Sequence, residues 1–548
     1  MKRITCLLFV CAVLGLVGQA GAQEVHKGNR EAAAGLQNAG KSGSQGRIAC
    51  TDGRSDGYPC NNVDLVAYMT FPDLVGTLSP TTNEANDIWG WTDPETGVEY
   101  VLLGLEHGTA FVDISNPEAP FTVGFLPSTN VQRGETRGIT PQPFYSTWRD
   151  IKVYQNYAFV VADASNTHGM QVFDLTQLRS VSTPPVTFSN SAFYDGIGSA
   201  HNIVINEESG YAFAVGVNAS GETCGGGLHM IDIRNPLQPT FAGCFTDTTS
   251  RYSGVGIGYT HDAQCVIYHG PDTDHTGREI CFGANETAIS VADVTDKADP
   301  VSLSRISYPG AKYVHQGWLT EDHRYFFQDD ELDEFNQLTN FTRTMIWDMT
   351  DLDDPVFLTD FFSSQASIDH NQYVRGHFLY QTNYSSGLRI FDIREIENPV
   401  EVGFFDTRPT DGGVNFNGTW SNYPYFESGI IALSSIDEGL YLVKPTGIAV
   451  DTATEQPGKL SGFQLSTPYP NPFGESTRMA LTLDESAPVT IEVFDLLGRQ
   501  VATLYQGVAP AGSPVSVGFD AGNLPDGNYL IRARSGERTA SRIVTIHR

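Results

Sequence analysis

Four histidines stand at the head of apolar, β-type runs: "SAHNIVI" (199–205), "YTHDAQCVI" (259–267), "YVHQGWL" (313–319) and "IDHNQYV" (368–374). His201, His261, His315 and His370 are spaced by 60, 54 and 55 residues, and each precedes an amide or an acid, Asn202, Asp262, Gln316 and Asn371. The loops between second and third strands of the repeats carry Asp163, Asn285, Glu286, Asp329, Asp330, Glu331, Asp333 and Glu334. Neutral imidazole is a metal ligand near pH 7, and imidazole with carboxylate suits Zn, Mn, Fe or Cu. Gathered on one face, these residues would hold such an ion, and a nearby carboxylate or Tyr384 would move protons. The pattern has a second reading, in which each His hydrogen-bonds backbone or acid and fastens one structural repeat to the next. In the three repeats that lack the histidine, the matching positions read as Asp87, Asp150 and Thr419. That asymmetry favours chemistry, since a purely structural residue would recur throughout.

The elements that place these residues repeat with the same period. After each His pair comes an apolar strand such as "YAFVVAD" (157–163), "YAFAVGV" (211–217) or "YFFQDD" (325–330). A strand ending in Asp follows, then a Pro-bearing turn and a last strand: "GTAFVDISNPEAPFTVGF" (108–125), "GLHMIDIRNPLQPTFAGCF" (227–245), "GLRIFDIREIENPVEVGFF" (387–405). Asp113, Asp174, Asp232, Asp293, Asp348 and Asp392 read as turn residues that bond their own backbone. Seven four-stranded units beginning near residues 86, 149, 201, 261, 315, 370 and 418 predict an all-β, seven-bladed β-propeller over 63–445. The seventh unit stops at "EGLYLVKP" (438–445) one strand short, and "VDLVAYMTF" (63–71) supplies an orphan strand that would close the ring. Closure would leave no sheet edge open. A polar linker, 446–462, then leads to a small β-sandwich over 463–548.

Composition limits the partners. A net charge of −31, with only 8 Lys among 33 basic residues, excludes nucleic acid. Lys2 and Arg3, the run "LLFVCAVLGLVG" and Ala20-Gly21-Ala22 predict an export leader over 1–22, followed by a polar segment over 23–62. No other stretch has the length of a membrane span. In an oxidising compartment the remaining Cys50, Cys60, Cys224, Cys244, Cys265 and Cys281 favour disulfides. Fifteen pairings exist for six cysteines, the simplest joining sequence neighbours, 50–60, 224–244 and 265–281. "DTDHTG" (272–277) has the Asp-x-Asp spacing of a calcium loop but no Glu at the twelfth position, so it reads as a solvated loop with calcium as the alternative. No P-loop, G-x-S-x-G elbow or H-E-x-x-H is present.

Two family resemblances follow from these segments. "YPNPFGESTRMALTL", "VTIEVFDLLGRQVATL" and "LPDGNYLIRA" resemble the C-terminal sorting domain of type IX secretion cargo. That resemblance implies the type IX machinery as a partner and a protein released from, or attached to, the outer cell surface. The segments 261–286, 315–334 and 369–393 resemble the choice-of-anchor B family of LVIVD-repeat propellers, which implies fold and place rather than a reaction. Oligogalacturonate lyases, with His and Gln around a channel metal, are similar in plan to the His315-Gln316 pair, and selenium-binding-type thiol oxidases offer a His-bound copper in a similar fold. The expectation is a monomeric propeller binding an extracellular protein or glycan. The alternative is a metal-dependent lyase or oxidase. Ligand candidates are His201, His261, His315, His370, Asp262, Gln316, Asp150 and Asp87, with Glu286, Asp329, Asp330 and Glu331 as loop acids and the catalytic residues undetermined.

Overall fold

Short runs of alternating β-branched and aromatic residues, punctuated by Asp, Asn, Pro and Gly, favour strands and tight turns over helix. A computed structural model describes residues 43–79, 82–129, 145–164, 167–248 and 258–448. In the C-terminal part it describes 463–465, 473–474, 476–483, 486–495, 499–509, 515–522, 524–525, 527–536 and 538–546. The leader expected over 1–22, most of the segment that follows it and nearly all of the linker lie outside these residues. Among the described residues, helix is confined to Phe71–Val75 and the 3-10 turns Leu175–Ser180 and Cys224–Gly226.

Two compact units divide the chain, 1–452 and 453–548. Among the described residues of the first unit are a two-stranded sheet, Ile197–Ser199 with Ala219–Gly221, and seven larger ones, of which six are built on four antiparallel strands in sequence order. The fourth is representative: Asp262–Ile267, Glu279–Ala284, Ile289–Asp293 and Val301–Ile306. The seventh takes Thr419–Tyr423, Ile431–Ser435 and Gly439–Pro445 from its own segment, and Val63–Met69 pairs antiparallel beside the last of these, from Met69 opposite Leu440 to Val63 opposite Pro445. Tyr68 stacks on Tyr441 with ring centroids 4.5 Å apart across that pairing. The first strands touch in order from sheet to sheet, and Thr419–Tyr423 returns to Ala85–Thr92.

The turns behave as their residue types demand. Asp113, Asp174, Asp232, Asp293, Asp348 and Asp392 each accept the main-chain N–H two residues on, at 2.8–3.0 Å. The recurrent glycine of the fourth strands answers to close backbone approach. A Cβ on Gly243 would lie 1.8 Å from the carbonyl oxygen of Lys297, in the turn of the next sheet, and one on Gly124 would lie 2.6 Å from that of Val186, which pairs parallel beside it in the same sheet. Disulfides join Cys50 to Cys60, Cys224 to Cys244 and Cys265 to Cys281, the last tying the first two strands of the fourth sheet.

In the second unit, Phe463–Leu465, Ser476–Leu483 and Val515–Asp520 form one sheet, while Gln500–Ala509, Ala487–Asp495, Gly527–Ser535 and Arg538–Ile546 form another. Leu481, Ile491, Val493, Ile531 and Val544 share its buried core.

Candidate metal centre

The His201, His261 and His315 pairs sit where the first strand of a sheet carries one residue too many for its neighbour, and two sheets without the histidine do the same. Register slips by one between Ala85 and Ile88, between Val314 and Gly317, and between Thr419 and Ser421. In the fourth sheet, both His261, through its N–H, and Asp262, through its strand pairing, face Ala284; in the third, His201 and Asn202 both face Val215. Such bulges re-aim side chains. Here the imidazoles gather into one continuous stack instead of alternating to opposite faces.

Ring centroids are 4.3 Å apart for His201 and His261, 4.6 Å for His261 and His315, and 4.3 Å for His315 and His370. Trp420 extends the stack at 4.5 Å from His370. Tyr384 and Tyr313 lie against it, 4.7 Å from His370 and 5.1 Å from His261. The stack is buried, with only 12% of the His201 side chain exposed.

Every Nδ1 is engaged. His201 Nδ1 meets Asp163 Oδ2 at 2.9 Å and His315 Nδ1 meets Asp329 Oδ2 at 3.3 Å. His261 Nδ1 bonds the His315 carbonyl at 3.0 Å, and His370 Nδ1 bonds the Trp420 carbonyl at 2.6 Å, each reaching to the next sheet. The hydrogen bonds that the His201, His261 and His315 rings make run through Nδ1. His370 Nε2 lies 3.8 Å from Glu331 Oε1, which also accepts from Tyr384 Oη at 2.6 Å. His315, Glu331 and His370 each bring one ligand atom within 4.8 Å of the other two. An imidazole fixed through Nδ1 by a carboxylate or carbonyl, with Nε2 turned elsewhere, is the second-sphere arrangement of metal-binding histidine.

Electrostatics keep most of this site neutral. Burial, then the neighbouring imidazoles, holds His261 well below the usual imidazole range, and burial takes His315 down to about 4. For His201 burial pulls downward, but the Asp163 carboxylate outweighs it and the net shift is upward. Burial raises Glu331 and lifts Glu286 to about 7. Two residues here hold left-handed backbone, Tyr384 at φ 35° and Glu286 at φ 60°. For a buried tyrosine that conformation is strained, and strain of this kind collects at functional sites.

The other sequence candidates occupy different places. Asp87, Asp150 and Asp262 each accept the N–H of the following residue at 2.6–2.7 Å, so they form a common row with Asn202, Gln316 and Asn371. This corrects the alignment of Asp87 and Asp150 with the histidines, and Trp420, not Thr419, continues the stack. The row is bonded from sheet to sheet: Asp150 Oδ2 accepts from Ile203 N at 2.8 Å, Gln316 Oε1 from Gln372 N at 2.9 Å, and Asn371 Nδ2 donates to Ser421 Oγ at 3.0 Å. Lys152 Nζ joins Asp150 at 2.6 Å. Burial first, then Asp150, raises Asp87 to about 7, and burial raises Asp262 to about 8.

Asp330 serves the fold, accepting from Tyr308 Oη, Lys312 N and Tyr313 N at 2.6–2.8 Å. Beyond it Asp333 and Glu334 are buried together. Burial, then Asp330, lifts Asp333 to about 7, and burial, then Asp333, lifts Glu334 to about 10. In the Asp272 loop both carboxylate oxygens accept main-chain N–H groups, from Asp274 at 3.1 Å and Leu352 at 2.8 Å. Sequence reading missed Trp420 and Tyr313, although "YVHQ" and "GTWSN" place an aromatic beside the pair.

Two family models match the chain: the LVIVD repeat over 147–167 and the secretion system C-terminal sorting domain over 467–547. No curated protein matches it. Among solved structures it is similar to a Lactobacillus plantarum protein (10% identity, TM-score 0.41, covering 80% of this chain and 100% of that one). It is also similar to a Desulfotomaculum acetoxidans protein of unknown function (12%, 0.38, 72% and 99%) and to a fungal alcohol oxidase in complex with copper (10%, 0.40, 88% and 98%). Such distant likenesses carry no functional argument. No helix among the described residues is long and apolar enough to cross a membrane. The chain carries an LVIVD repeat and a type IX C-terminal sorting domain, and so is a protein secreted from, or attached to, the outer surface of the cell.

Proposed function

We propose that 63–445 is a closed seven-bladed propeller of the choice-of-anchor B kind that binds a divalent transition metal at one end of its axis. The leader over 1–22 and the domain over 463–548 serve export. Closure is supported by the cyclic contacts of the first strands and by the pairing of Val63–Met69 with Gly439–Pro445. The metal reading rests on one observation, the grouping of His315, Glu331 and His370 with Nδ1 of both imidazoles already engaged. Fastening and ligation are then compatible, because each ring has a nitrogen for each task. Nitrogen with carboxylate selects Zn, Mn, Fe or Cu. The bound ion would act as the anchoring point for an acidic or hydroxyl-rich group of an extracellular protein or glycan. A metal-dependent lyase or oxidase is the second reading, favoured by the Tyr384–Glu331 hydrogen bond beside His370, which places a proton carrier next to the ion.

Elemental analysis of the secreted protein isolated without chelator tests the site. About one equivalent of transition metal is expected in the wild type, with at least a tenfold loss in a folded His315→Ala/His370→Ala variant. Equal metal content in both, or none in either, contradicts it.

A further inference from the structure

The turn after Asp262–Ile267 carries side chains that the histidine centre does not use. Thr273, Asp274 and Thr276 are exposed there, yet Asp272 and His275 are turned inward, with 11% and 13% of their side chains exposed. His275 Nε2 lies 3.1 Å from Asp353 Oδ2 and 3.9 Å from Asp272 Oδ2. One ligand atom from each of the three residues lies within 4.8 Å of the other two. Asp353 comes from the fifth sheet, in the turn between Arg343–Asp348 and Val356–Phe362, and its side chain is largely exposed. Other bonds hold the two segments together. Asp272 Oδ2 accepts Leu352 N at 2.8 Å, Tyr268 Oη donates to the Met349 carbonyl at 3.1 Å, and Ser304 Oγ donates to that of Leu352 at 2.6 Å. The ligand atoms are thus brought together by the fold.

Among the described residues, the His275 ring is the one basic group within 4 Å of either carboxylate. A neutral imidazole gives its Nε2 proton to one of them and balances the charge of neither. A cation bonded to all three would balance both. Ligands held at about 2.0–2.2 Å in a tetrahedron stand about 3.4 Å apart, close to the 3.1 and 3.9 Å found here.

We propose that Asp272, His275 and Asp353 form a second site for a zinc-class transition metal, which clamps the fourth sheet to the fifth and is independent of the histidine centre. Nitrogen in the donor set selects such an ion over calcium, which takes oxygen ligands. Asp274, the second acid of the Asp-x-Asp pattern, stands outside the group. Three protein ligands leave a fourth position, open to solvent beside Asp353. An ion so exposed exchanges with the medium, so the site fills from added metal and does not carry its ion through isolation.

The test is calorimetric titration of zinc chloride into the secreted protein isolated without chelator. One added equivalent is expected to bind in the wild type, in Asp274→Asn and in His315→Ala/His370→Ala. Its affinity is expected to fall at least tenfold in His275→Ala and in Asp353→Asn. Hydrogen exchange of 268–278 and 348–354 in the wild type is expected to slow on adding zinc, a readout that survives if a variant fails to fold. Absence of zinc uptake, wild-type affinity in a folded His275→Ala, or calcium chloride binding as tightly as zinc would overturn the site. Uptake lost in His315→Ala/His370→Ala but kept in His275→Ala would assign the added zinc to the histidine centre and overturn this site. Zinc bound here without any metal at the histidines would keep this site and refute the other.

Discussion

At the scale of single residues, the decisive feature is which imidazole nitrogen is held. Asp329 accepts Gln316 N at 2.6 Å through Oδ1 and faces His315 Nδ1 through Oδ2. An asparagine there keeps the first bond through its oxygen but turns its amide donors toward Nδ1. The His315 proton is then driven onto Nε2, which cannot ligate while it carries one. Asp329→Asn should therefore stay folded and lose about ten- to a hundredfold in metal affinity, the usual effect of removing a partner of a ligand. Equal affinity, measured by competition with a chromophoric chelator, would assign Asp329 to structure alone. The four histidines were legible in the sequence because residue type and period coincide. The row of Asp87 and Asp150 was misread because which of two adjacent residues joins the histidines is decided by the folded strand, and Trp420 replaces histidine by shape rather than by chemistry.

At the scale of elements, strands and turns were legible because the Asp-ended strand and its Pro-bearing turn use local chemistry that sequence displays. Contacts between sheets were not, since they join residues far apart in the chain. Asp93, in the turn after Ala85–Thr92, takes Arg179 Nε at 2.8 Å and the N–H of Glu95 at 3.0 Å. Arg179 lies in the 3-10 turn Leu175–Ser180 of the second sheet's segment, so this ion pair ties two sheets together. Hydrogen bonds from Arg179, opposed by burial, hold the Asp93 carboxyl down at about 2. A carboxylate with a lowered folded value contributes stability above its unfolded value, near 4, and loses it as pH falls through about 2. Arg179→Met should accordingly melt lower than wild type at pH 7, with the difference shrinking between about pH 4 and 2. A difference that does not change with pH would show that the pair does not couple to folding.

At the scale of the molecule, the proposed propeller needs a ring closed by a strand from its other end. Val63–Met69 is buried along its whole length, and Tyr441, Leu442 and Val443 are buried beside it. A chain beginning after Met69 would leave Gly439–Pro445 as an unpaired apolar edge, which recruits other chains. Oligomers are expected from this truncation in size-exclusion chromatography, where the intact chain elutes as a monomer. A monomeric truncation that melts with the wild type would remove closure from the account. The pairing of Val63–Met69 with Gly439–Pro445 was legible because one segment lacks a strand and another has one to spare. The chemistry of the axis was legible only as residue types, because burial and the choice of ring nitrogen belong to the folded state.

The measurement that tests the metal centre most directly is an anomalous difference map from crystals of the secreted protein soaked in zinc. The account predicts a peak bonded to Nε2 of His315 and His370 and to Glu331, at about 2.0–2.2 Å from each. A map with no peak there, or with zinc only at Asp272, His275 and Asp353 on the surface, would contradict it and return the histidine stack to a structural role.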